Sequence, residues 1–299
     1  MTGHPTSPPD DEPPPAAPAP IRIETIDDPR VAVFGNVRDR DALGQRGVFI
    51  AEGDLVVRRL IDESPFDTVA VFVAEPRLAP LAPALRRLDP GVPVYVAPRG
   101  VFEAVVGFHL HRGVLAAGRR PAQRSADDLL RSIGDNTTAV VLLLEDLTNH
   151  DNIGGLFRSA AAFGAGGVLL TRRCADPLYR KATRVSIGTT LTLPFARCAD
   201  APEGARTLRE AGFEVVALTP APDATPIREW LARGGAPGRV ALMLGAEGPG
   251  LSGAALDAAS ARVRLGEMVG ADSLNVAVAG AVAMYALRSG DRGDRAPTL

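Results

Sequence analysis

Between residues 21 and 289 the chain alternates short apolar, β-branched runs with longer segments whose apolar residues recur every three or four positions. The first pattern predicts buried strands and the second predicts amphipathic helices. In the first part, strands are expected at 48–51, 68–74, 92–96 and 113–117, with helices at 53–62, 78–88 and 101–106. A charged stretch at 121–137, containing Pro121 and Gly134, reads as a linker with a short helix at 126–133. A second series follows. Its strands are expected at 138–144, 167–171, 191–193, 214–218, 240–244 and 262–265. Its helices are expected at 153–164, 177–184, 202–211, 226–233, 253–259 and 274–288. This alternation predicts an α/β fold: a mostly parallel sheet with helices on both faces, over residues 138–289. A smaller α/β sandwich over residues 21–120 precedes it. No internal repeat is seen.

Residues 1–20 are rich in Pro, Asp, Ala and Thr, and residues 290–299 read the same way. Such segments bury too little apolar surface to offset the entropy of ordering, so both are expected to be flexible tails. The formal net charge of −2 gives no bulk attraction to nucleic acid or to an anionic membrane. The basic residues are nearly all arginine, Lys181 being the only lysine. Arginine forks onto phosphates and stacks on bases, although genome composition explains the same bias more simply. Cys174 and Cys198 lack metal-ligand spacing and read as free thiols of a reducing compartment. No signal-peptide pattern and no membrane-length apolar run is present, so a cytoplasmic protein is expected.

Candidate chemistry gathers at three places where an apolar run ends. The first is Asn149-His150-Asp151-Asn152-Ile153-Gly154-Gly155-Leu156-Phe157-Arg158. A strand there meets a polar turn that opens a helix, the place where α/β folds bind ligands. Asp151 or Asn152 is expected to cap that helix. Ile153, Leu156, Phe157, Ala160 and Ala161 form one apolar stripe, and Arg158 lies off it. The second is Leu244-Gly245-Ala246-Glu247-Gly248-Pro249-Gly250-Leu251-Ser252, a glycine-rich turn without phosphate-loop or dinucleotide spacing. The third is a loop from Gly266 to Asp272, followed by Ser273-Leu274-Asn275 and a run of small residues. Asp272 or Ser273 is expected to cap the last helix, with Asn275 in its first turn. The first stretch alone reads more simply as a capped helix with a solvated arginine; a tight turn does not account for Glu247 in the second, nor a capped helix for Asn275 in the third.

Together, and in this order, the three stretches resemble the SpoU (TrmH) family of RNA ribose 2′-O-methyltransferases. The resemblance runs through Asn152–Arg158, Leu244–Ser252 and Ser273–Ala279, with support from Asp176-Pro177-Leu178-Tyr179-Arg180-Lys181-Ala182, Ser186 and Gly188. Gly47–Gly53 and His111–Ala116 resemble, less specifically, a ribosomal-protein-like (L30e-like) RNA-binding domain. One departure stands out: Leu265-Gly266-Glu267 replaces the family's Ile-Pro-Met.

The resemblance implies a deep trefoil knot of SPOUT type that binds S-adenosylmethionine (AdoMet), with no metal. It implies a homodimer through the C-terminal domain and an RNA substrate. 23S-type rRNA is favoured over tRNA, and a catalytically silent RNA-binding module is the rival. It places the cofactor near Leu218, Thr219, Leu244, Gly245, Leu265 and Leu274. It assigns catalysis to Arg158, Asn152, Glu247 and Asn275, the last three fixing the arginine and the ribose. Arg158 is the family's proposed base. A guanidinium stays protonated, so its firmer role is to orient ribose and phosphate. Minor candidates are His109, His111 and His150, the basic run Tyr179-Arg180-Lys181 with Arg184, and a basic surface of Arg58, Arg59, Arg86, Arg87, Arg119 and Arg120. A nucleotide-dependent oxidoreductase is disfavoured by the missing GxGxxG.

Overall fold

A computed structural model describes residues 18–35, 47–107, 113–134, 139–235, 238–266 and 273–290. Two sheets organise it. The first contains β1 (Ile21–Arg22), β2 (Val48–Glu52), β3 (Thr68–Ala74), β4 (Val94–Ala97) and β5 (Val114–Arg119), in the order β1-β4-β3-β5-β2. β4 runs parallel to β1 and β3, whereas β5 is antiparallel to β3 and β2. Alternate residues of β3 serve opposite cores: Ala70 and Phe72 face one, Val71 and Val73 the other. Period-two alternation therefore builds a sheet covered on both sides, as the pattern predicted.

The second sheet contains β6 (Ala139–Leu144), β7 (Gly167–Thr171), β8 (Phe195–Cys198), β9 (Glu214–Leu218), β10 (Thr225–Pro226), β11 (Arg239–Leu244) and β12 (Ala261–Arg264). Its order is β10-β12-β9-β11-β6-β7-β8, and every pairing is parallel. Leu142, Leu144, Val216, Leu242 and Leu244 face the layer with the helices His150–Ala162 and Val276–Gly290. Val141, Leu143, Val215, Ala241 and Met243 face the opposite layer. The chain leaves β12 on one side of β9 and β11, yet its last helix packs on the His150–Ala162 helix, which follows β6 on the other side. The last helix is thus separated from β12 by β9 and β11 and lies beside the helix that follows β6.

Several local expectations needed correction. The strand expected at 191–193 lies at Phe195–Cys198, because Gly188 takes a left-handed φ of 84° and Thr189–Leu191 forms a 3-10 turn. The helix expected at 177–184 starts only at Arg180, since the Asp176 carboxylate accepts the Leu178 N–H at 2.9 Å and holds a turn there. Two short strands, β1 and β10, and a 3-10 turn at Pro29–Phe34 were not anticipated. The helix expected within the linker forms at Ala126–Ile133, closed by a reciprocal Ser125–Asp128 capping box. Leu129 and Ile133 are buried in the core of the larger sheet, so this helix is one of its outer layers.

Candidate active site at the carboxyl edge of the larger sheet

The first stretch is built as a locked turn. The Asn149 side chain, rather than Asp151 or Asn152, caps the helix by accepting the Asp151 N–H at 2.9 Å. Asp146 has a left-handed φ of 55° without being glycine. It is held there by Thr171, whose hydroxyl donates to Asp146 Oδ1 at 2.9 Å and accepts the Asp146 N–H at 3.0 Å. Along the helix, Ile153, Leu156, Phe157 and Ala160 are buried as their spacing predicted, and Ala161 is half-buried. Asn152 is also buried, at 4% exposure.

The second stretch folds back on itself. A Cβ on Gly245 would lie 2.3 Å from backbone atoms of Gly250 and Leu251, so only glycine fits. The Gly250 N–H donates to the Ala246 carbonyl at 2.9 Å and closes the loop. Its far end is fastened by Glu145, which sequence reasoning missed. The buried Glu145 carboxylate accepts the Ser252 N–H at 2.8 Å and the Ser252 hydroxyl at 2.7 Å. The Glu145 N–H donates to the Leu244 carbonyl at 2.8 Å. Ser252 in turn caps the Gly253–Ala258 helix. The available signal was a carboxylate directly after the apolar run 140–144, where a buried charge demands donors.

The third stretch joins the first. Asn275 Oδ1 accepts the N–H groups of Ala277 and Val278, so Asn275 itself caps the last helix. Its Nδ2 donates to Asn152 Oδ1 at 2.9 Å. Asp272, one of the two expected caps, lies outside the described residues, as do Glu267, His109 and His111. Small residues make this approach possible. A Cβ on Gly155 would be 3.0 Å from the Ala277 Cβ, and one on Gly280 would be 2.5 Å from Leu156 Cδ2.

The expectation that Asn152, Glu247 and Asn275 hold Arg158 is not met. Arg158 and Glu247 are exposed, and neither has a hydrogen-bond or ion-pair partner among the described residues. Arg158 lies six positions beyond Asn152 along the helix, which turns the two side chains about 120° apart and sets them about 9 Å along the axis. Both Arg158 and Glu247 therefore keep their full bonding capacity for a ligand.

The six residues expected to hold a cofactor lie at the carboxyl ends of β9, β11 and β12 or at the start of the last helix. Leu218 and Leu265 are partly exposed members of the apolar cluster, and Leu274 is 40% exposed. Leu244 is fully buried, so its side chain only supports the site. The Thr219 N–H already donates to the Val263 carbonyl at 2.9 Å. Leu218, Leu265 and Leu274 thus present apolar surface to solvent at these strand ends and the helix start. Gly266 has a φ of 139°, which proline cannot adopt, so this loop differs from the Ile-Pro-Met pattern in backbone as well as side chain. No metal-binding cluster exists among the described residues. Burial raises the Cys174 thiol and pushes Cys198 up to about 12, leaving both as unreactive thiols.

The minor candidates are largely engaged in ion pairs. Lys181 pairs with Asp151 at 2.6 Å, and Arg180 and Arg184 pair with Glu52. On the first domain, Arg58, Arg59, Arg87, Arg119 and Arg120 each pair with a carboxylate, so the expected basic surface is mostly neutralised. His150 stacks near Tyr179, with ring centroids 4.2 Å apart.

Residues 139–285 match the model of the SpoU rRNA methylase family. The chain is 43% identical over 266 residues to an uncharacterised tRNA/rRNA methyltransferase of Mycobacterium bovis, covering 87% of this chain and 88% of that one. The chain belongs to the SpoU family of RNA methyltransferases. The SpoU fold is seen again in an AdoMet-bound rRNA methyltransferase from Sinorhizobium meliloti, with a TM-score of 0.74 at 22% identity, covering 90% of this chain and 98% of that one. An RNA 2′-O ribose methyltransferase superposes with a TM-score of 0.71 at 24% identity, covering 91% and 99%. The family match spans all three strand-end stretches and ends inside the last helix.

The Glu145 clamp makes a direct prediction. Glu145→Ala removes both bonds to Ser252, so amide hydrogen exchange at Ser252 and along 246–251 should quicken about 10-fold or more, each net hydrogen bond to a charged group being worth about 1.5–3 kcal/mol. Unchanged exchange would show that the loop closes without the clamp.

Proposed function

We propose that this protein transfers the methyl group of AdoMet to a ribose 2′-hydroxyl of RNA, with rRNA of the 23S type as the favoured substrate. The observation that carries this reading is the Asn275–Asn152 hydrogen bond, which brings the first and third stretches together at the sheet edge. The likeness to a 2′-O ribose methyltransferase and to an AdoMet-bound rRNA methyltransferase supports it. AdoMet supplies an electrophilic methyl group on a positively charged sulfur. Leu218, Leu265 and Leu274 would hold its apolar face, with Thr219, Leu244 and Gly245 shaping the adjoining backbone.

The remaining work falls to the chain's own side chains. Arg158 orients ribose and phosphate through its forked N–H donors, and accepts no proton itself. Glu247, exposed on the glycine loop and uncommitted among the described residues, can accept the hydrogen bond of the ribose hydroxyl and take up its proton as the methyl group leaves the sulfur. Asn152 and Asn275 fix the edge between them. Holding a weakly acidic hydroxyl in line with the departing sulfur accounts for several kcal/mol of the barrier. The expected site of action is the cytoplasm, consistent with two buried, unbridged cysteines.

The same reading includes a homodimer through the C-terminal domain. Val278, Val282 and Tyr285 recur at helical spacing on the last helix and are 50%, 44% and 56% exposed. Such a stripe is the kind of surface that an isologous partner covers.

Two experiments follow. Arg158→Ala should lower methyl transfer to RNA by about 100-fold or more while AdoMet affinity, read by calorimetry, stays within about two-fold, since the side chain acts on the substrate. Wild-type turnover in that variant refutes the role. Val282→Glu should convert dimers to monomers in sedimentation velocity, a charge in an interface core costing several kcal/mol. A wild-type protein that sediments as a monomer at micromolar concentration overturns the dimer.

A further inference from the structure

The short helix Arg180–Val185 lies between the two domains and touches both. On one side it meets Glu52, the last residue of β2, whose side chain is 4% exposed. Arg180 donates to Glu52 Oε2, and Arg184 Nη1 lies 3.3 Å and 3.4 Å from the two carboxylate oxygens. Arg180 and Arg184 are one helical turn apart, so both reach the same carboxylate. The seam continues on either side. Arg59 Nη1 donates to the Ile187 carbonyl at 2.8 Å, Arg120 pairs with Asp176 at 2.7 Å, and Leu178 and Leu191 are buried in the core of the first domain.

On its other side the same helix meets the candidate site. Lys181 donates to Asp151 at 2.6 Å, in the first turn of the His150–Ala162 helix. Gly154 approaches so closely that a Cβ there would lie 2.7 Å from the Ala182 carbonyl oxygen. Asp151 precedes Asn152, which holds Asn275. A continuous line of contacts thus runs from Glu52 to the Asn152–Asn275 edge.

A buried ion pair gives little net stability compared with apolar residues of the same size, but it fixes direction. We infer that Glu52 is a positioning residue: through Arg180 and Arg184 it sets the angle of the first domain against the site, and so where RNA held by that domain presents its ribose. The inference rests on the RNA-methylation reading.

The test uses the full chain with Glu52→Leu and Arg180→Met combined, which removes the buried pair together; Arg184, whose side chain is 36% exposed, is left to solvent. Spin labels on cysteines placed at the exposed positions Arg86 and Arg206 report the angle between domains. The double variant should melt close to the wild type and bind AdoMet within about two-fold, yet give a broadened distance distribution. Its kcat on RNA should fall about 10-fold or more while KM shifts much less, because the first domain still binds RNA but presents it poorly. The conservative variant Glu52→Asp should keep most of the rate. A narrow, wild-type-like distribution in the double variant overturns the inference, as does an unchanged kcat. If the wild type moves no methyl group to RNA, the functional reading falls, while a broadened distribution still supports the positioning role.

Discussion

The structure turns on one amide. Asn275 starts the last helix by accepting two of its orphan N–H groups, and with its other end it donates to the buried Asn152. β9 and β11 lie between β12 and β6, and this amide fastens the start of the last helix to the helix that follows β6. An unsatisfied amide oxygen at the depth of Asn152 would cost about 1–3 kcal/mol. Asn275 therefore supports the packing of the two helices and the helix start together. The alanines and glycines that follow are what let the two helices come close enough for the bond to form.

Polar groups around this point fall into two kinds. Glu145, Asp146, Asn149, Asn152 and Asn275 are satisfied by other parts of the chain, and they hold loops and helix ends in place. Arg158 and Glu247 are exposed and uncommitted among the described residues. A site made this way is rigid where it is internally bonded, and open where a substrate must supply the partners. Internal bonding extends to Glu52 and the Arg180–Val185 helix, so the first domain is tied to the rigid part.

Most of the fold was legible in the chain. The apolar runs of β3, β6, β7, β9 and β11 carried their own strand signal, and the stripe Ile153–Ala160 carried its helix. β8 was misplaced because Arg197 interrupts its apolar pattern; the structure uses that arginine to bind the carbonyls of Thr171 and Cys174. The three strand-end stretches were found because glycines and asparagines cluster there. Glu145 was passed over although it directly follows a buried strand, and neither it nor Glu52 shows its partner locally. Their partners, Ser252 and Arg180, lie more than a hundred residues away. The arginine doublets, a minor candidate for a basic surface that reads equally as a solvated face, are mostly neutralised by carboxylates, some of them distant in sequence.

The central claim is that the site held by the Asn152–Asn275 bond, together with the uncommitted Arg158 and Glu247, directs a methyl group to a ribose oxygen. Unmodified rRNA incubated with the protein and AdoMet carrying a deuterated methyl group, then digested to nucleosides, decides it by tandem mass spectrometry. The account predicts that the label stays with the ribose fragment when the glycosidic bond breaks. Label retained on the base fragment would contradict it.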